Sequence, residues 1–162
     1  MLTPLFRHLL NCYPPFLGAG VRVTFIAPDW RLVRVRMRLT WYNRNYVGTH
    51  FGGSLFAMTD PFLMLMAMQN LGRGYIVWDK AAEIDFLAPG RGTVTAEFRL
   101  SEQDIEQMRA ETADGQKHLR WFPVEIRGED GSLVARVKRQ LYVRRREASN
   151  AKPRARRAAD AA

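Results

Sequence analysis

The sequence reads as an α+β protein in which an antiparallel sheet curls around one long central helix. Two observations carry this reading. From Ser54 to Met68, eleven of fifteen residues are apolar, so this helix is hydrophobic nearly all round and has to be covered on most sides. Much of the remaining chain alternates apolar and polar residues, the period of a half-buried strand. A sheet that must cover such a helix bends around it.

Taken in order, Leu5, Phe6, Leu9, Leu10 and Tyr13 recur at helical spacing and predict a short amphipathic helix, which Pro14-Pro15 stops. Gly18-Ala19-Gly20 reads as a turn. Val21, Val23 and Phe25 then alternate with Arg22 and Thr24, Pro28-Asp29 breaks the run, and Val33, Val35, Met37 and Leu39 alternate with Arg34, Arg36 and Arg38. These two strands are expected to form a hairpin with a cationic outer row. Pro61 lacks the N–H that would bond Ala57, so a bend is expected beside Asp60. Gly72-Arg73-Gly74 ends the central helix. Ile76, Trp78, Ala82, Ile84 and Phe86 are expected on one face of a long strand, and Pro89-Gly90-Arg91-Gly92 turns the chain into another strand, with Val94, Ala96, Phe98 and Leu100 on one face. Ser101 and Asp104 mark a helix start, Asp114-Gly115 a turn, and residues 117–127 and 133–144 two more strands.

The chain has 162 residues, enough for one folded core, and 47% are apolar. Residues 1–145 are expected to form that domain and 146–162 a disordered basic tail. Between Arg144 and Ala162, seven basic residues face only Glu147 and Asp160, which accounts for +5 of the net +9. This stretch has no apolar face, and a solubilising role is favoured over a nucleic-acid or membrane-surface arm. Cys12 is the only cysteine; an internal disulfide is excluded and a reducing, cytoplasmic setting is expected. His8, His50 and His118 are scattered rather than clustered, so no metal or other cofactor is expected. Asp60, Pro61 and Gln69 interrupt the longest apolar run, which argues against membrane insertion.

Residues 45–60 carry most of the functional information. A polar turn and the Gly52-Gly53 pair lead into the apolar helix, whose first free N–H groups favour developing negative charge. Asp60 lies about two turns further on, in surroundings whose apolar character would raise its carboxyl pKa. Gly52 and Gly53 either donate to an oxyanion or allow tight packing of helix on sheet. Asn45 alone is a turn residue, and Ser54 and Thr59 either position polar groups or bond the local backbone. Trp41, Tyr42, Phe51 and Phe56 either line a ligand tunnel or fill the core.

Asn45-x-x-Gly48-x-x-Phe51-Gly52-Gly53, with Asp60 nine residues after Phe51, resembles the motif of the phenylacetate-pathway type thioesterases of the hot-dog fold. That motif reads Asn-x-x-Gly-x-x-His-Gly-Gly and then Asp at the same distance. The segments Tyr42 to Asp60, Val77-Trp78-Asp79-Lys80 and Phe86-Leu87-Ala88-Pro89-Gly90 are closer still to a hot-dog family of uncharacterised bacterial proteins labelled tetrameric acyl-CoA thioesterase. The resemblance implies hydrolysis of an acyl-CoA or related thioester by a homodimer paired into a tetramer. Asp60 of one subunit would then be base or nucleophile, the Gly52-Gly53 amides of the other the oxyanion donors, and Asn45 the holder of a water or of the thioester oxygen. Phe51 stands where the motif has histidine, with His50 one position earlier. Either His50 takes part of that role or the site works without imidazole, and a non-catalytic acyl-thioester binder is the alternative function. Phe51, Ser54 and Thr59 are expected beside the substrate. Arg91 and Lys138 or Arg139 are expected to meet the phosphates of coenzyme A.

Overall fold

A computed structural model describes residues 3–146. The tail expected to be disordered lies outside the described residues, apart from Arg146, whose N–H donates to the carbonyl of Gly74. Two helices open the chain instead of one: α1 (Thr3–Asn11) and α2 (Pro14–Ala19). The proline pair that ends the first helical pattern also starts the second, because proline fits the first turn of a helix, where its missing N–H has no partner to lose. Gly20 closes α2 at φ 79°, so the residues read as a turn are largely helical.

Six strands follow in one sheet: β1 (Val21–Ile26), β2 (Leu32–Arg38), β3 (Tyr75–Phe86), β4 (Thr93–Arg99), β5 (His118–Gly128) and β6 (Leu133–Arg145). Their spatial order is β1-β2-β4-β5-β6-β3, with every neighbouring pair antiparallel. Turning the chain after Phe86 therefore does not pair β3 with β4, which lie on opposite sides of the β5–β6 hairpin. Between β2 and β3 in the chain sits the central helical segment, α3 (Gly52–Ala57) and α4 (Phe62–Leu71). The break falls at the expected place, and the Asp60–Pro61 peptide is cis. Leu55, Met58, Phe62, Leu63, Met66, Ala67 and Leu71 of this segment are buried against Val35, Met37, Ala96, Phe98, Val137 and Leu141 of the sheet. Phe62 stacks on Phe16 of α2 at 5.6 Å and tilts against Phe98 at 4.9 Å, tying the N-terminal helices to the core. The last helix, α5 (Glu102–Glu111), starts at a reciprocal Ser101–Asp104 cap and buries Ile105 and Met108.

Two bulges change the expected faces. In β1 the register shifts between Val23 and Phe25, so Phe25 turns outward and Ile26 inward. In β3 it shifts between Asp79 and Ala81. Val77 and Asp79 pair with the buried Val143 and Leu141, and beyond the bulge Ala82 and Ile84 pair with the buried Arg139 and Val137. The inner row is therefore Val77, Asp79, Ala82, Ile84 and Phe86. Ile76 and Trp78 face outward, and Trp78 stacks on Tyr142 at 4.0 Å. A strict alternation of two carried across an extra residue assigns the first half of the strand to the wrong face.

The two edges of the sheet differ. Along β1, Asn11 of α1 bonds both the N–H and the carbonyl of Val23, and Arg7 bonds the carbonyl of Thr24. Along β3, twelve residues long, no described strand or side chain covers the outer edge. The cationic outer row of β2 is as expected: Arg34, Arg36 and Arg38 are exposed, and Arg34 pairs with Glu97 at 2.6 Å. Among the described residues no helix is long and apolar enough to cross a membrane.

Candidate functional site

The loop between β2 and α3 is held by two amide side chains. Asn43, buried, donates to the carbonyls of Ala19 and Arg38 and accepts from the Thr40 N–H. Asn45 donates to Thr49 Oγ1 and the carbonyl of His50, and its oxygen accepts from the N–H groups of Val47 and Thr49. All four of its bonding positions are used within the loop, which corrects the expectation that Asn45 holds a water or a substrate oxygen. It shapes the turn that delivers residues 50–53. His50 N–H bonds the carbonyl of Gly90, and Phe51 N–H that of Asn43, so the start of α3 is fixed from both sides.

His50 is buried, and its Nε2 lies 3.1 Å from the carbonyl of Gly92. A carbonyl only accepts, so Nε2 carries the ring proton and Nδ1 is left as a buried acceptor without a partner among the described residues. Burial holds the imidazole below its ordinary range, against the pull of the Gly92 carbonyl. His50 therefore acts as a neutral tie between this loop and the Gly90–Gly92 turn.

At the start of α3, Ser54 and Leu55 N–H both bond the carbonyl of Phe51. The Gly52 and Gly53 N–H groups have no acceptor among the described residues. A side chain at Gly52 would strike the Phe86 ring, its Cβ falling 2.8 Å from Cζ, and at Gly53 it would strike the Phe51 ring. Glycine thus lets aromatic rings close on the helix start while leaving the two amides bare. Beside them is a cleft of about 670 Å³, lined by Gly52, His50, Asn45 and Arg91 with Val47, Leu55, Phe86 and Leu87. Arg91 is exposed at this cleft. Phe51 is 56% exposed and lies over Gly53, while Ser54 is buried inside the first turn.

Asp60 is elsewhere. Its side chain is 53% exposed and its Oδ2 lies 3.0 Å from Arg139 Nη1, so the apolar surroundings expected for it are not what the structure provides. Arg139 is the group that organises this corner. It projects from the inner face of β6, is 3% exposed, and crosses under the α3–α4 break. Its Nη2 donates to the carbonyl of Phe56 and to Thr59 Oγ1, both at 3.0 Å; its Nε approaches Thr59 Oγ1 at 3.3 Å; and its Cζ sits 4.6 Å from the centre of the Phe56 ring. A cation on a helix's last carbonyls is favourable. Thr59, expected beside the substrate, is buried with its hydroxyl shared between Phe56 and Arg139.

Asp79 approaches the same guanidinium from β3, with Oδ2 at 3.9 Å from Nη1. Its Oδ1 is buried and unpartnered among the described residues. Burial pushes its carboxyl up to about 6, Arg139 pulls it down, and Asp60 adds to the rise. Arg139, expected as a phosphate ligand, is enclosed instead, while Lys138 lies exposed on the outer face, 3.6 Å from Glu83. The structure thus gathers Asn45, His50, Gly52 and Arg91 at one cleft, and Asp60 and Thr59 at a second place with Asp79, which was given no site role from sequence, and with the buried Arg139, expected instead at the phosphates.

A helix broken over its acidic residue and wrapped by this antiparallel sheet defines a hot-dog fold. The chain belongs to the family described as Domain of unknown function (DUF4442), whose model matches residues 3–143. Its fold is similar to that of a Pseudomonas aeruginosa protein of unknown function described as a probable thioesterase, PA5026, at 24% identity and TM-score 0.79, covering 90% of this chain and 97% of that one. The Haemophilus influenzae thioesterase HI1161 aligns at 17% identity and TM-score 0.64, covering 90% of this chain and 91% of that one. The PaaI protein of the Escherichia coli phenylacetic acid degradation operon aligns at 20% identity and TM-score 0.59, with coverage of 85% and 88%. No curated protein matches the chain.

Proposed function

We propose that the protein hydrolyses an acyl thioester, with an acyl-CoA as the favoured substrate class, at a site completed by a second copy of the chain. The observation that carries this reading is the pair of amides at Gly52 and Gly53 with no acceptor among the described residues, Gly52 lining a cleft with an apolar wall. Two N–H groups fixed at a helix start suit the oxygen of a thioester carbonyl as it gains charge. Water attacks the carbonyl carbon, the C–S bond breaks and the thiol leaves. The carboxylate needed to draw a proton from that water, or to attack directly, is Asp60.

Asp60 cannot serve its own glycine pair. It lies beyond the last residue of α3 while the glycines open that helix, and its carboxylate is half exposed and paired with Arg139. The uncovered β3 edge and the exposed Trp78, Phe86 and Leu87 along it offer a second copy an apolar seat. Pairing there would bring one subunit's Asp60 toward the other's Gly52 and Gly53. Arg91, exposed at the cleft, is the cation available to the phosphates of a coenzyme A carrier. The setting is cytoplasmic in this reading.

Asp60→Ala is expected to lower the turnover of acyl-CoA thioesters by about 10²–10⁴-fold with the fold intact by circular dichroism. Mixed dimers of Asp60→Ala and Gly53→Ala subunits should regain part of the activity, because one of their two sites is whole. An unchanged rate in Asp60→Ala disposes of the assignment. The second reading, a non-catalytic acyl-thioester binder, is favoured by Phe51, whose ring lies over Gly53 where the related motif has histidine. Binding without cleavage across a broad thioester panel decides for it.

A further inference from the structure

Two carboxylates meet one buried guanidinium at the α3–α4 break, and only one of them has a role in the reading above. Asp60 Oδ2 is 3.0 Å from Arg139 Nη1 and Asp79 Oδ2 is 3.9 Å from the same nitrogen. Arg139 is not free to follow either. Its Nη2 and Nε are tied to the Phe56 carbonyl and Thr59 Oγ1, and its face rests on the Phe56 ring. Nη1 is therefore a fixed point of positive charge between an exposed carboxylate and an enclosed one. Among the described residues Asp79 has no other cation beside it. Across the ladder it faces Leu141, α4 packed against its strand carries no ionisable side chain, and the neighbouring Lys80 is exposed at the bulge. The charged groups facing Asp79 are thus Arg139 from β6 and Asp60 from the helix break.

We propose that Asp79 is a positioning residue for Asp60: the two carboxylates share the single pinned guanidinium of Arg139, so the charge on Asp79 sets how completely Asp60 is neutralised. The proposal rests on the hydrolase reading for Asp60 and adds a residue that touches neither substrate nor water. When Asp79 is protonated, Arg139 is left to Asp60 alone and holds it as a fully compensated ion pair. When Asp79 is ionised, one cation serves two anions, and Asp60 is freer to attack or to take a proton from water. Asp79 titrates near 6, so turnover rises as pH increases through that value.

The test uses the full-length protein labelled with ¹³C at the aspartate carboxyls, together with the pH profile of thioester hydrolysis. In the wild type, the Asp79 carboxyl signal, assigned by its loss in Asp79→Asn, is expected to titrate near pH 6. In Asp60→Asn, whose substituted side chain is half exposed and keeps its shape, that midpoint should fall by about half a pH unit or more, since a repelling charge has been removed. An Asp79 midpoint that ignores Asp60→Asn overturns the sharing. In the activity arm, kcat of the wild type should show a step near pH 6 that Asp79→Asn abolishes, remaining at the low-pH plateau with KM unchanged. A step that survives in Asp79→Asn overturns the positioning role. Absence of any thioester turnover in the wild type defeats the hydrolase reading and the positioning role of Asp79 with it, while the carboxyl titration alone decides whether the two aspartates are coupled.

Discussion

Replacing Asp79 by asparagine should stabilise the fold at neutral pH and leave it unchanged in acid. The carboxyl is raised from 3.8 to about 6 by burial. Between those values the folded chain holds a proton that the unfolded chain has released, so unfolding releases a proton and stability falls as pH rises through that window. Above pH 6 the loss is complete and constant. At 1.36 kcal/mol per pH unit the full difference is about 3 kcal/mol; solvent reaches the 18% of the side chain that is exposed, so about 2 kcal/mol is the realistic expectation. Asparagine keeps the shape and carries no charge to desolvate. For a chain of this length the gain corresponds to a rise in Tm of roughly 4–8 °C. Thermal unfolding of both proteins at pH 4 and pH 7.5, at one protein concentration because assembly contributes to Tm, gives the comparison. Any histidine effects cancel between the two. A variant less stable than the wild type at pH 7.5, or one offset equally at both pH values, would refute the claim that an ionised Asp79 is held at a cost.

Other outcomes follow from the same contacts. Arg139→Met strips the cation from Asp60, Asp79 and the Phe56 carbonyl at once, and should lower stability at pH 7.5 by about 3–5 kcal/mol in urea unfolding; a neutral effect would mean the cluster contributes only geometry. His50 is held below its ordinary range by burial, so its share of the stability is present above pH 6.5 and is lost as pH falls through its folded value. His118 shifts the same way for the same reason. His50→Gln should flatten part of the acid-side decline in Tm, and an unaltered slope argues against a buried neutral imidazole. Ser101→Ala removes the side chain that accepts from the Asp104 N–H and donates to its carboxylate, and should cost about 1 kcal/mol in chemical denaturation.

The wrapped helix was legible because its composition leaves no polar face, and the bend at Asp60 because proline withdraws one backbone donor. The cap at Ser101–Asp104 and the cationic row of β2 were legible for similarly local reasons. What escaped the sequence depends on register. A bulge at Asp79–Ala81 inverts the first half of β3, and that inversion is what carries Asp79 inside. Arg139 could have been found: Val137, Arg139, Leu141 and Val143 alternate on one face, and an arginine in an apolar row demands carboxylates nearby. Setting it among phosphate ligands overlooked that row. Strand order was beyond local signals, since nothing in the Pro89–Gly92 turn distinguishes a hairpin from a crossing to the far side of the sheet. The role of Asn45 was half legible, as a turn residue; only the loop's full set of bonds shows that it has no valence left over.

The unequal edges of the sheet limit how copies of the chain can join. With the Val23 backbone stoppered by Asn11 and Arg7 at the neighbouring carbonyl, the described residues leave strand-by-strand addition one open edge, along β3. In the pairing proposed above, two molecules that met along β3 would use up the one edge left open among the described residues, and such a union would close as a pair with no loose end from which a filament could grow.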